Sequence, residues 1–181
     1  ALLSFVDHPS TDTPVSNTKP VEKRSTLTSS PTKVAVKSCT ELGGATPIQS
    51  VIWSQEEGIY SKLSGAFIIG QGMCAPTLMG FASEEHKTSY IPKIASGEQV
   101  WCQLFSEPHG GSDLAGLRTR AERDGDDWII NGQKIWTSGA QHSDYGILIT
   151  RTDPTVAKHK GLTMFFLSMK SPGVDIRPIK Q

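Results

Sequence analysis

At Gly97 the spacing of apolar residues changes, and that change decides what this chain can fold into. Before it, Ile48, Val51, Ile52, Gln55 and Ile59 recur at helical intervals; after it, Leu117, Thr119 and Ala121 alternate with polar neighbours. Spacing of three and four gathers side chains on one stripe of a helix, whereas a period of two gathers them on one face of a strand. A block of helices followed by a block of strands is the pattern of an α+β fold. The expected architecture is an N-terminal helical segment followed by an antiparallel β-sandwich or barrel domain.

Local signals set the elements. Thr46-Pro47 starts a helix with proline pre-set at the first turn. A second helix is expected to carry Ile59, Leu63, Ala66, Phe67, Gly70, Cys74 and Leu78, with small residues that permit close packing. Both are read as core helices. Ser83-Glu84-Glu85-His86 is a capped entry with carboxylates in the positive first turn, and Ser96-Gly97 ends that helix. Strands are expected at 99–105, 117–123, 128–130, 145–150, 162–167 and 174–176, with Asn131-Gly132 as a hairpin signal. Residues 1–40 form a separate region. From Asp7 to Thr40 the chain is rich in Ser, Thr, Pro and Lys, too poor in large apolar side chains to offset the entropy of ordering, and reads as a flexible arm. The domains expected are therefore 1–40 as arm, 41–97 as a partial helical domain and 98–181 as a β domain.

Charge and cysteine content exclude several functions. Eighteen Lys and Arg balance eighteen Asp and Glu, so nothing in the charge favours a nucleic acid. Cys39, Cys74 and Cys102 are odd in number and lack a Cys-x-x-Cys pair, which argues against a disulfide framework or a zinc site; no metal is expected. No apolar run approaches the ~20 residues that cross a bilayer. The chain reads as a soluble protein of a reducing compartment, cytoplasmic, with the mitochondrial matrix as the alternative.

Two stretches carry chemistry. Ser106-Glu107-Pro108-His109-Gly110-Gly111-Ser112-Asp113 follows a strand, and its proline and glycines make a turn whose amides and hydroxyls can approach an anion such as a pyrophosphate. An ordinary glycine-rich connection would use the same residues. In Trp136-Thr137-Ser138-Gly139, an indole followed by two hydroxyls offers a flat apolar surface beside small donors, suited to a planar heterocycle; a simple packed tryptophan is the competing reading.

Taken together, the first stretch and Asn131-Gly132-Gln133-Lys134-Ile135-Trp136-Thr137-Ser138 resemble the acyl-CoA dehydrogenase family, whose flavin-binding middle domain carries a Thr-Glu-Pro-x-x-Gly-Ser-Asp turn followed by an Asn-Gly-x-Lys-x-Trp-x-Thr segment. The likeness runs from Glu41 to Gln181. It implies FAD as cofactor and an N-terminal helical part leading into the β domain. It also implies a C-terminal helical domain that this chain does not include. Mapped onto this sequence, Trp136 would lie against the isoalloxazine, and Ser138, where the family usually has Thr, would hydrogen-bond near flavin N5. Thr137 would contribute backbone. Ser106, again replacing Thr, would contact the pyrimidine end, flanked by Gln103 and Phe105. Gly111 and Ser112 would approach the pyrophosphate, with Ser112 also near the acyl-CoA thioester arm. His109 stands where the family has small residues. Glu107 and Asp113 read as supports for the turn rather than as catalysts.

The family reaction is α,β-dehydrogenation of an acyl-CoA thioester, with a glutamate taking the α-proton and a hydride passing from the β-carbon to flavin N5. Placement and carbonyl polarisation supply most of the advantage. The family carries that glutamate in its C-terminal helical domain, so no catalytic base is assigned here. The resemblance further implies an electron-transfer flavoprotein as acceptor and a homo- or hetero-oligomer. Gly70, Gly72 and Met73 are candidates for lining the acyl tunnel. A non-catalytic or truncated subunit that binds flavin or acyl-CoA within a heteromeric complex is the alternative, as is an acyl-CoA oxidase or flavin monooxygenase on the same scaffold.

Overall fold

The computed structural model describes residues 2–5, 44–58 and 65–179, and for 2–5 the backbone only. They divide into two compact units, with the boundary between Val100 and Trp101. The arm expected over residues 1–40 is corrected at its start, where Leu2–Phe5 are a strand hydrogen-bonded into the sheet; its stretch from Asp7 to Thr40, and Cys39, Ile59 and Leu63, lie outside the described residues.

The helical unit holds α1 (Pro47–Glu57), a π turn (Gly70–Cys74), α2 (Ala75–Phe81) and α3 (Glu84–Ala95). Thr46 caps α1 reciprocally: its side chain accepts the Gln49 amide, and the Gln49 side chain accepts the Thr46 amide at 2.8 Å. Ser83 caps α3 by accepting the His86 amide at 3.3 Å. Two expectations fail here. Ile48, Val51 and Ile52, read as core, are exposed, and no residue of α1 is buried. The second helix is not continuous either. A turn at 65–67 leads through residues 68–69 into the π turn, and α2 begins only at Ala75. Pro76 explains the break. It has no amide to return to the carbonyl of Gly72 and its ring would crowd that carbonyl, so the backbone widens and the Ala75 amide reaches back to Gly70 instead. Cys74, Ala75, Leu78, Ala82 and Ile94 form the buried side of this unit. Gly97 closes α3 at φ 74°, with its Cα against the ring of Phe67.

The β unit is one sheet of β1 (Leu2–Phe5), β2 (Trp101–Leu104), β3 (Arg120–Asp124), β4 (Asp127–Lys134), β5 (Tyr145–Arg151), β6 (Leu162–Ser168) and β7 (Val174–Arg177), in the order β2-β5-β3-β4-β1-β7, with β6 also on β5. The α+β class is as the sequence implies. The sheet, however, is mixed rather than antiparallel throughout. β6 pairs antiparallel along the whole of one edge of β5. The other edge is shared by two parallel neighbours: β2 lies opposite Tyr145 to Leu148, and β3 joins at Arg151. The chain leaves β2, makes the glycine-rich turn, and returns to the same edge further along. That turn is therefore the crossover that lets two strands share one partner.

Two strand expectations are also corrected. Asn131-Gly132 is not a hairpin turn; the β3–β4 hairpin turns through Gly125, at φ 58°, and Asn131-Gly132 lie within β4. Glycine is needed at 132 for a different reason: a β-carbon there would lie 2.7 Å from Thr119 Cα. β3 begins at Arg120 rather than Leu117, because the Arg118 and Thr119 amides are turned toward a side chain instead of a neighbouring strand.

Both faces of the β2–β5–β6 region are covered. Cys102, Leu104, Leu148, Phe165 and Leu167 form the main core, with Trp128 packed edge-on against Phe165 at 5.3 Å. On the other face Trp101 stacks on Tyr145 at 5.1 Å and meets Phe166 edge-on at 5.9 Å.

Candidate functional site

The glycine-rich turn is closed by its own backbone: Glu107 and Gly110 exchange both amide–carbonyl hydrogen bonds at 3.0 Å, which leaves Pro108 and His109 at the tip. The Glu107 side chain turns inward and is buried. Its Oε1 accepts the Thr119 amide at 2.9 Å and the Lys134 ammonium at 2.8 Å; its Oε2 accepts the Arg118 amide at 2.7 Å and lies 3.3 Å from His109 Nε2. Lys134 comes from the end of β4, is fully buried, and also donates to the Phe105 carbonyl at 3.1 Å.

A buried carboxylate and ammonium are each expensive unless paired and hydrogen-bonded. Burial alone pushes Glu107 up, but Lys134, Thr119 and the Arg118 amide together outweigh it and bring the carboxyl down to about 2. For Lys134 burial is the largest influence and lowers its pKa; Glu107 opposes this without cancelling it. The two partners thus fare differently. The carboxylate is well provided with donors, while the ammonium has two oxygens and bears most of the desolvation cost.

The consequence is a junction between the two stretches singled out in the sequence. The Ile135 amide donates to the Ser106 carbonyl at 2.9 Å, so the segment entering Trp136 is hydrogen-bonded directly to the start of the glycine-rich turn. Trp136 follows with φ 60°, the one residue other than glycine with positive φ among the described residues, and is 64% exposed. A bulky residue held in the left-handed region costs of order 1–3 kcal/mol and marks a place where the surroundings dictate the backbone. Here the residue so held carries a large indole at the surface.

The expected contact residues fall around this junction unevenly. Phe105 and Ser106 are half-buried and are tied to Lys134 and Ile135 through their carbonyls. Ser106 and Gly111 are close, since a β-carbon on Gly111 would lie 3.5 Å from Ser106 Oγ. Gly111, Ser112 and Ser138 are exposed, and Thr137 is buried directly behind the indole in sequence. Gln103 sits further back on β2, opposite Ile147. Asp113 pairs with Lys158 at 2.9 Å, and that hydrogen bond and charge hold its carboxyl below the usual range. Gly70, Gly72 and Met73 belong to the π turn of the helical unit.

Two residues to which the sequence reading gave no role build this region. Lys134 is one. Arg151 is the other: its guanidinium donates to the carbonyls of Ala115, Leu117 and Lys158, bracing the segment that follows the glycine-rich turn. The donor set suits a flavin nucleotide: an exposed indole face, the Ser106, Ser112 and Ser138 hydroxyls, and amides in a glycine turn without side chains in the way.

A middle domain of acyl-CoA dehydrogenases matches residues 102–181. Acyl-CoA dehydrogenase FadE34 of Mycobacterium tuberculosis is 41% identical over 138 residues, which is 76% of this chain and 19% of that protein. Among solved structures, the ChsE4-ChsE5 complex from Mycobacterium tuberculosis superposes with a TM-score of 0.69 at 36% identity, covering 82% of this chain and 38% of that one. A glutaryl-CoA dehydrogenase from Mycobacterium smegmatis in complex with FADH2 gives a TM-score of 0.56 at 32% identity, covering 62% and 28%. The chain belongs to the acyl-CoA dehydrogenase family, of which it includes the middle domain. It spans less than two fifths of the length of these relatives.

Proposed function

We propose that this chain supplies the flavin-binding β domain, and part of the N-terminal helices, of an FAD-dependent dehydrogenase that introduces an α,β double bond into an acyl-CoA thioester. FAD is the cofactor, as in the glutaryl-CoA dehydrogenase complex to which the chain is similar. The observation that carries the reading is the hydrogen-bonded junction between the Ser106 turn and the strand leading to Trp136, which ties the segment bearing an exposed indole to the glycine-rich turn.

In this reading Trp136 covers one face of the isoalloxazine, Ser138 donates near its N5 edge through a short side chain, and Thr137 contributes backbone. Ser106, with Gln103 and Phe105 on the strand behind it, meets the pyrimidine end. Gly111 and Ser112 approach the pyrophosphate, and Ser112 also faces the thioester arm. Bound FAD supplies the acceptor for a hydride from the substrate β-carbon. The residues here bind and orient; the group that removes the α-proton is expected in a C-terminal helical domain, as is much of the CoA-binding surface. The domain reading follows the same lines, with 41–97 as partial helical domain and 98–181 as middle domain.

A heteromeric assembly is a second reading, supported by the similarity to a two-component complex. An electron-transfer flavoprotein as acceptor and a cytoplasmic location complete the proposal. No helix of the described residues is long and apolar enough to cross a membrane. The test is spectral. The whole protein should purify yellow and bleach anaerobically when a suitable acyl-CoA is added. Well-folded protein that neither retains nor takes up flavin would refute the proposal; rapid oxygen consumption without an added acceptor would point to an oxidase instead.

A further inference from the structure

We infer that the buried Glu107–Lys134 pair is a positioning device, setting the orientation of the Trp136 indole against the cofactor from behind the binding surface. The inference rests on the flavin reading above and adds a role for two residues that touch neither cofactor nor substrate in it. Three observations carry it. First, the pair joins the two stretches at their roots: Glu107 lies inside the glycine-rich turn, and Lys134 lies two residues before Trp136. Second, the tie is multiple. Glu107 accepts from the Arg118 and Thr119 amides as well as from Lys134, Lys134 also donates to the Phe105 carbonyl, and the Ile135 amide donates to the Ser106 carbonyl. Third, Trp136 holds a backbone conformation that a bulky residue does not choose for itself, and such a conformation persists only where the surroundings over-determine it.

The competing account is that the pair merely stabilises the sheet. Physical chemistry separates the two. Buried ion pairs add little net stability over uncharged replacements of similar size, while removal of one partner leaves an uncompensated charge and is costly. If the pair serves the sheet alone, replacing both members should leave the placement of the indole unchanged. If it exists for geometry, replacing both should restore stability relative to a single change and still misplace the indole.

The test compares the whole protein with Lys134→Met, Glu107→Gln and the double variant. An indole stacked on a flavin quenches its fluorescence, so the bound-flavin emission reports the contact without any turnover. The double variant is expected to unfold at a temperature closer to wild type than Lys134→Met does. Its bound flavin should nevertheless be several-fold brighter, with affinity for FAD reduced at least about tenfold. Amide exchange at Ile135, followed without flavin, should accelerate in the same variant. Wild-type emission, affinity and Ile135 exchange in the double variant would overturn the inference while leaving the flavin reading intact. If wild type itself binds no flavin, the functional reading fails, and the exchange measurement alone decides whether the pair couples the two loops. Should Glu107→Gln not fold, Lys134→Met carries the fluorescence and exchange arms by itself.

Discussion

At the scale of single residues, Trp136 shows a backbone conformation that its surroundings impose. Its positive φ should make Trp136→Gly nearly neutral for stability: strain of order 1–3 kcal/mol is relieved, offset by the ~1 kcal/mol entropic cost of a glycine. Little packing is lost because the indole is exposed. Flavin affinity should fall sharply in the same protein, and thermal melts beside a flavin titration check both halves. Glu107 makes a prediction about pH. Its carboxyl sits at about 2 in the fold against an ordinary value of 4.5, so it binds a proton more readily when unfolded. The stability it contributes is complete above about 4.5 and is lost progressively as pH falls toward 2. Urea midpoints across that window should drop for wild type more steeply than for Glu107→Gln. Lys134 was readable in principle. It falls in phase with Trp128 and Ile130 along β4, and a cation on the apolar side of a strand demands a buried carboxylate. What the sequence does not hold is the partner's identity, because Glu107 precedes Lys134 by most of two strands and meets it only through the β5 edge that β2 and β3 share.

At the scale of elements, the caps were legible and the interruptions were not. Thr46-Pro47 and Ser83 start their helices where short-range chemistry says they should, since a cap depends on residues within one turn. The π turn escaped because the apolar spacing through Gly70 and Cys74 looks helical whether four or five residues close each ring; Pro76 was the signal. Asn131-Gly132 misled for the opposite reason, as a dipeptide with strong turn preference serves a long-range need. Thr119 passes so close to Gly132 that any side chain would strike its backbone. Gly132→Ala should therefore destabilise the protein by about 1–3 kcal/mol or more, measured by chemical denaturation. It should also disturb flavin binding, because the same stretch of β4 delivers Lys134. Parallel pairing of β2 and β3 with β5 was equally out of reach: short alternating runs predict strands, not their direction.

At the scale of the molecule, the order of helices then strands and the two motifs in sequence were enough to indicate the family and its cofactor, because each is encoded in contiguous residues. Adding FAD at about a hundred times its dissociation constant should stabilise the folded protein by about 2.7 kcal/mol, seen as a rise in melting temperature that guanosine nucleotides do not reproduce. One feature of the sheet reaches further. Leu2–Phe5 is the single rung between β4 and β7, antiparallel to both, with Leu3 opposite Lys134 on one side and Ile176 on the other. Trimming those four residues would open a slot about 10 Å across, two strand spacings, walled by amides and carbonyls that have lost their mates. Any extended peptide, including the corresponding strand of a sister molecule, could lodge there, so whether this one strand stays seated governs whether preparations of this protein stay dispersed or knit together.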